Sequence, residues 1–258
     1  MTSGVLRELV TSGSVAVGSA VMEFDTPGIG HILAAAGCDF VFLDTEHSGW
    51  GVETVKRTLR YFEAAGLPTI VRPPSKSPHH ITRILDAGAD GLLVPMVETA
   101  DEATEILQHM KYPTAGRRGL AHGIAHDRYS PGPIADKIEE ANANTVCIPL
   151  IESPRGVENA AEIAAIDGVD MLWIGHSDLA ARLGIPGCFD HPDYLAAVDA
   201  VVDAARRHGK PLAKLIASVE EGASLHQRGF TFLCYGTDIR LLRQALADGI
   251  TNLRAECT

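Results

Sequence analysis

An apolar run that ends abruptly in ionisable side chains is the first chemical signal in this chain: Phe40-Val41-Phe42-Leu43 leads directly into Asp44-Thr45-Glu46-His47. A short, continuous apolar run marks a strand buried on both faces. The polar residues then fall where the chain leaves the core, which is where α/β folds keep their reactive groups. An imidazole exchanges a proton near neutral pH, and a nearby carboxylate can fix its tautomer. Asp44 and His47 are therefore a candidate general-base pair, with Glu46 beside them. A surface turn capped by the aspartate is the alternative reading of Asp-x-x-His.

The pattern recurs further along. Arg72 ends the run 69–71 and precedes Pro73-Pro74, so its backbone is held extended and its guanidinium fork is presented on a stiff support. It can bind a carboxylate or an enolate oxygen, or form a salt bridge to Asp44, and the two roles are compatible. Glu152 follows the apolar run Val146-Cys147-Ile148-Pro149-Leu150-Ile151, and Asp178 follows Trp173-Ile174-Gly175-His176-Ser177. Two carboxylates that leave coordination positions open suit Mg²⁺ or a similar hard divalent ion. The structural alternatives are a helix N-cap for Asp178 and a solvated loop for Glu152. Gly175 and Ser177 lie at the turn into a helix, where their N–H groups could hold an anionic substrate group.

The elements that must position these groups are legible as runs. Strand-like segments fall at 15–21, 40–43, 69–71, 91–94, 146–151, 171–174, 211–216 and 230–235. Amphipathic helical spacing occupies 29–36, 52–65, 81–87, 100–110, 157–165, 194–208, 219–227 and 239–246. Eight strand–helix units in 258 residues predict one closed (β/α)₈ TIM barrel, a single domain over 1–258. An open doubly wound sheet is the alternative, but neither a G-x-G-x-x-G turn nor a Walker loop is present. In a closed barrel every strand's carboxyl end opens on one face, so Asp44, Glu46, His47, Arg72, Glu152 and Asp178 converge there. The Gly- and Pro-rich stretch 113–133 reads as a substrate loop or a subunit contact.

Bulk properties narrow the partners. A net charge of −11 without a clustered basic face argues against nucleic acid and against acidic membranes. Five widely spaced cysteines without a Cys-x-x-Cys indicate neither a disulfide framework nor a thiolate zinc site, and point to a reducing, cytoplasmic location. No signal peptide and no membrane-spanning run of about 18 residues is expected.

The order and spacing of these residues carry a family resemblance. Asp44-x-Glu46-His47, Arg72 placed 25 residues past His47, Pro95 after the fourth run, Gly116-x-Arg118-Gly119, Ile151-Glu152, and Gly175-x-x-Asp178-Leu179 together resemble the metal-dependent (class II) pyruvate aldolases of the HpcH/HpaI family, 4-hydroxy-2-oxoheptanedioate aldolase type. The likeness extends to Leu92-Leu93-Val94-Pro95-Met96-Val97 and to Leu215-Ile216-Ala217. It implies a TIM barrel with a swapped C-terminal helix, assembled as a homo-hexamer, that cleaves 4-hydroxy-2-oxo acids to pyruvate and an aldehyde. Glu152 and Asp178 would hold Mg²⁺, Mn²⁺ or Co²⁺, and Arg72 would stabilise the enolate oxygen. His47, oriented by Asp44 and by Asp86 of a neighbouring subunit, would handle the 4-hydroxyl proton; Glu46 and Leu215 would stand behind these groups. Leu150, His176 and Ser48-Gly49-Trp50 depart from the family's usual residues at the pocket wall, which bears on aldehyde preference and on whether decarboxylation or a related enolate reaction dominates.

Other readings compete for single residues. Lys214, near the end of the seventh run, would serve a metal-free Schiff-base aldolase. His122 and His126 could bind zinc only on a helix that Gly119 and Gly123 disfavour. A non-catalytic barrel that binds a keto acid is the hypothesis from a different class.

Overall fold

The computed structural model describes residues 4–257. Eight parallel strands close into one barrel in sequence order: β1 (Ala16–Val21), β2 (Phe40–Asp44), β3 (Thr69–Arg72), β4 (Gly91–Val94), β5 (Val146–Ile151), β6 (Leu172–Ile174), β7 (Leu212–Ile216) and β8 (Phe230–Thr237). The expected strands thus form within a residue or two of where their apolar runs lie. Alternate residues of each strand face inward and outward. Phe40, Phe42, Ile70, Ile148, Leu150, Trp173 and Phe232 fill the barrel, with Phe40 against Phe232 and Phe42 against Trp173 at 5.4 and 5.3 Å between ring centroids. Val41, Leu43, Val71, Ile151, Ile174, Leu212 and Ile216 face the surrounding helices.

The helices in chain order are α1 (Val5–Ser12), α2 (Ile29–Ala35), α3 (Val52–Ala64), α4 (Pro78–Asp86), α5 (Ala100–Met110), α6 (Ile134–Asn144), α7 (Pro154–Glu158), α8 (Ala160–Ala165), α9 (His176–Arg182), α10 (Pro192–Arg207), α11 (Val219–Gln227) and α12 (Asp238–Glu256). The helix expected over 157–165 is two helices, α7 and α8, interrupted at Asn159, whose side-chain amide donates to Glu98 O at 2.8 Å. The segment 113–133 is a loop with one 3₁₀ turn at Ala125–Asp127. Helix α12 is much longer than the expected 239–246, and Asp238 is its one buried residue.

Helix α1 closes the amino-terminal end of the barrel. Leu6 and Val10 join the interior cluster, and a Cβ on Gly91 would come within 2.8 Å of Leu6 Cδ2, so glycine at 91 makes room for the plug. Arg7 fixes the helix through an ion pair with Asp170 and a 2.8 Å bond to Thr145 O. Among the described residues no helix is long and apolar enough to cross a membrane.

The base of the barrel has its own register device. Asp39, Asp90 and Asp170, each standing one or two residues before an even-numbered strand, accept the N–H of Val17, Thr69 and Cys147 at 2.8, 2.8 and 2.7 Å. Each carboxylate therefore pairs a backbone N–H within the first two residues of the preceding strand. Burial pushes the Asp90 carboxyl up from 3.8 to about 7, with the Thr69 N–H opposing. The folded chain holds this proton more tightly than the unfolded chain does, so the contribution favours folding below pH 3.8 and is lost as the pH rises through about 7. Asp90→Asn keeps an oxygen for Thr69 and removes the titration. Urea unfolding at pH 5 and pH 8 is expected to show a flatter pH dependence in the variant, with a gain at pH 8 of up to about 4 kcal/mol; an unchanged pH dependence contradicts this account of Asp90.

Candidate active site

The inward parity of each strand continues into the residue that ends it. Asp44 follows Phe40 and Phe42 inward, Arg72 follows Ile70, and Glu152 follows Ile148 and Leu150. Asp44 and Glu152 are 3% and 4% exposed, so two carboxylates lie inside the carboxyl-terminal mouth.

Asp44 is fully engaged. Its Oδ1 accepts from Arg72 Nε at 2.9 Å and its Oδ2 from Arg72 Nη2 at 2.5 Å, a bidentate fork. The Glu46 and His47 backbone N–H groups also donate to Oδ1, at 3.0 and 3.4 Å. Asp44 therefore orders the His47 segment through its main chain, and the imidazole stands exposed at the rim. Glu46 Oε2 lies 3.3 Å from Arg72 Nε, and the guanidinium carbon sits 5.6 Å from the Phe42 ring centroid. Burial disfavours the Arg72 charge, but the Asp44 partner outweighs it and holds Arg72 more firmly protonated than usual.

Glu152 is positioned by backbone. Its Oε1 accepts the Met96 N–H at 2.7 Å, and its side chain lies over Gly175. A Cβ on residue 175 would come within 2.6 Å of both Glu152 Cβ and Oε2, so glycine is required for this carboxylate to take its place. Burial raises the Glu152 carboxyl to about 7; Asp178 and Glu46 add to the rise, while Met96 N–H and Arg72 oppose it. Glu46 is likewise raised, by burial first, with Asp44 and Asp178 adding to it. Asp178 thus acts on both Glu152 and Glu46 across one mouth. It lies in the first turn of α9, whose N-cap is Gly175, so it does not cap the helix. Ser177 is exposed at the same turn, and Leu215 is half-buried with inward parity beside Ala213.

Four carboxylates, Asp44, Glu46, Glu152 and Asp178, share this region with one guanidinium. The donor set is short of positive charge, and Glu152 and Asp178 are oxygen ligands of the kind a hard divalent cation takes while keeping other positions for water or substrate. Among the described residues no three His, Cys, Asp or Glu side chains form a closed metal cage. An open, two-carboxylate site for a hard ion fits the residues present.

The remaining candidates separate cleanly. Lys214 shares parity with Leu212 and Ile216, points into the helix layer and is ion-paired with Glu221 on α11, so it is outside the barrel mouth. Asp86 ends α4 at the opposite end of its own barrel and pairs with Arg118 at 2.5 Å; within one chain it does not reach His47. His126 bonds Ala121 O at 2.8 Å and Tyr112 Oη at 3.2 Å, while His122 is exposed. His176 packs edge-on against Phe189 at 5.2 Å, and burial, with Lys214 adding, lowers its ring to about 4, so it is neutral. Residue-type reasoning missed Met96, because its contribution is a main-chain N–H on which its side chain leaves no mark.

Gly175→Ala is expected to push the Glu152 carboxylate off the Met96 N–H. Amide exchange at Met96, followed by hydrogen–deuterium exchange, should then quicken by at least about tenfold, as loss of a charge-assisted bond implies; exchange at the wild-type rate would contradict the close packing of Gly175 on Glu152.

The model of the HpcH/HpaI aldolase/citrate lyase family matches residues 23–245. The chain is 36% identical over 215 residues to the 5-keto-4-deoxy-D-glucarate aldolase of Shigella boydii, covering 83% of this chain and 82% of that one. The HpcH/HpaI aldolase from Desulfitobacterium hafniense superposes with a TM-score of 0.91 at 29% identity, covering 96% of each chain. The citrate synthase SbnG superposes with a TM-score of 0.88 at 28% identity, covering 99% of each. On the extent of that match, the chain belongs to the HpcH/HpaI aldolase/citrate lyase family.

Proposed function

We propose that this carbon–carbon lyase is a divalent-metal-dependent aldolase that reversibly cleaves a 4-hydroxy-2-oxo acid to pyruvate and an aldehyde. The observation that carries the reading is the meeting of Glu152 and Asp178 with Arg72 in one barrel mouth, beside the His47 segment. A Mg²⁺, Mn²⁺ or Co²⁺ ion held by the two carboxylates would supply Lewis-acid polarisation of the 2-keto group. Arg72, with Nε and Nη2 committed to Asp44, keeps Nη1 for the oxygen on which negative charge develops. A preorganised donor of this kind is worth about 3 kcal/mol in the transition state. The Ser177 N–H, in the first turn of α9, would serve the substrate carboxylate, whereas the Gly175 N–H, expected to share that role, is committed to Ile151 O at 3.0 Å. His47 takes the proton of the 4-hydroxyl group, the C3–C4 bond breaks, and its electron pair passes into the pyruvate enolate as the aldehyde departs. Protonation at C3 gives pyruvate.

The relatives named for 5-keto-4-deoxy-D-glucarate favour a sugar-acid substrate over the heptanedioate type that the sequence resemblance implied. Retro-aldol cleavage of such an acid releases 2-hydroxy-3-oxopropanoate. The likeness to a citrate synthase favours a second reading, in which the same enolate is made by decarboxylation or captured by another acceptor. Purified protein mixed with pyruvate, Mn²⁺ and either 2-hydroxy-3-oxopropanoate or succinic semialdehyde separates these readings. EDTA-sensitive adduct formation, faster with the hydroxylated aldehyde, supports the aldolase. Activity that survives EDTA, with borohydride trapping at Lys214, would sink the metal route, and pyruvate binding without turnover would make the barrel a sensor.

His47→Ala is expected to slow aldol cleavage by about 10² to 10⁴-fold while leaving oxaloacetate decarboxylation measurable. Glu152→Ala should abolish both. Equal loss of every activity in the His47 variant contradicts the division of labour.

The reading extends to assembly as a homo-hexamer that exchanges α12. Ile239, Leu242, Leu246, Ile250 and Leu253 form one exposed apolar stripe on that helix, a face that a second copy would cover. Leu246→Asp is expected to yield smaller species in sedimentation velocity; an unchanged mass would remove the stripe from the interface.

A further inference from the structure

The turn after β4 holds a non-glycine residue in left-handed backbone: Met96 has φ 54°. L-residues avoid this region, and such outliers persist only where their surroundings over-determine them. The surroundings here are specific. The Met96 N–H points at Glu152 Oε1, 2.7 Å away, and the Met96 carbonyl accepts Lys76 Nζ at 2.9 Å. Lys76 Nζ also bonds Glu102 Oε1 at 2.5 Å, and Glu102 Oε2 accepts the Glu98 N–H at 2.9 Å. Glu102 is in turn set by the first turn of α5, where its N–H donates to Thr99 Oγ1 at 3.2 Å. On the far side the Ser153 hydroxyl donates to Glu98 Oε1 at 2.7 Å, which stitches the turn to the segment that follows Glu152.

We propose that Lys76 is a positioning residue for the metal site: by gripping the Met96 carbonyl it holds that residue left-handed, and so fixes the N–H that orients the Glu152 carboxylate. The proposal rests on the reading of Glu152 as a metal ligand. Without Lys76, Met96 relaxes toward ordinary backbone angles, its peptide turns, and the carboxylate loses the bond that sets its rotation. Outer partners of this kind typically carry about 10- to 100-fold in metal affinity.

Mn²⁺ titration followed by the electron paramagnetic resonance signal of the free ion tests this without an activity assay. Wild type is expected to bind one ion per chain, and Glu152→Gln to bind it far more weakly; failure of either result removes the metal site itself. With those in hand, Lys76→Met should weaken binding about 10- to 100-fold. The double variant Lys76→Met, Met96→Gly should regain most of the loss, because glycine takes positive φ without penalty. Met96→Val, which leaves Lys76 intact but disfavours positive φ, should weaken binding alone. Wild-type affinity in Lys76→Met or in Met96→Val, or a double variant no tighter than Lys76→Met, overturns the proposal while the metal site stands.

Discussion

Strict alternation of side chains along eight parallel strands is the constraint from which the site follows. The parity that sends Phe42, Ile70 and Leu150 into the barrel sends Asp44, Arg72 and Glu152 over them, one step beyond the last packed layer. The opposite parity sends Lys214 among the helices, where Glu221 neutralises it. A one-residue slip in any of these strands would exchange the two destinations. The aspartates at the base that pair an N–H near the start of the preceding strand therefore bear on the position of the groups at the far end as well as on stability.

Charge sets the second condition. Asp44 and Arg72 neutralise each other through a bidentate bond, which leaves Glu46, Glu152 and Asp178 sharing a poorly solvated mouth. One oxygen of Glu152 has a backbone donor, and the other has only the space that Gly175 leaves open. A region that gathers excess negative charge in low dielectric is prepared for a cation.

Much of this was legible in the sequence, and the reasons differ by residue. Buried parallel strands announce themselves as apolar runs, so all eight strands and the acids that end them could be placed from residue type alone. Helix α6 has no buried residue among those described, and so gives no apolar period to read. The break at Asn159 depends on a side-chain bond to Glu98 O, a contact 61 residues away in sequence. Asp44 was expected to orient the His47 ring; in the folded chain the nearer claim on its oxygens is the Arg72 fork, and its hold on His47 runs through the backbone. Lys76 and Met96 carry no motif of their own, because one acts on a carbonyl and the other through an amide.

The plug at the amino-terminal end has a kinetic corollary. With Leu6 and Val10 sealing the floor and packed side chains filling the barrel above them, the site is reached from its mouth alone. Whatever lodges deepest, against Glu152 and Asp178, must arrive before and depart after whatever sits above it. On the aldolase reading proposed above, turnover would take an ordered sequence, in which the keto acid, rather than the outer fragment, competes with fresh substrate for the vacant enzyme.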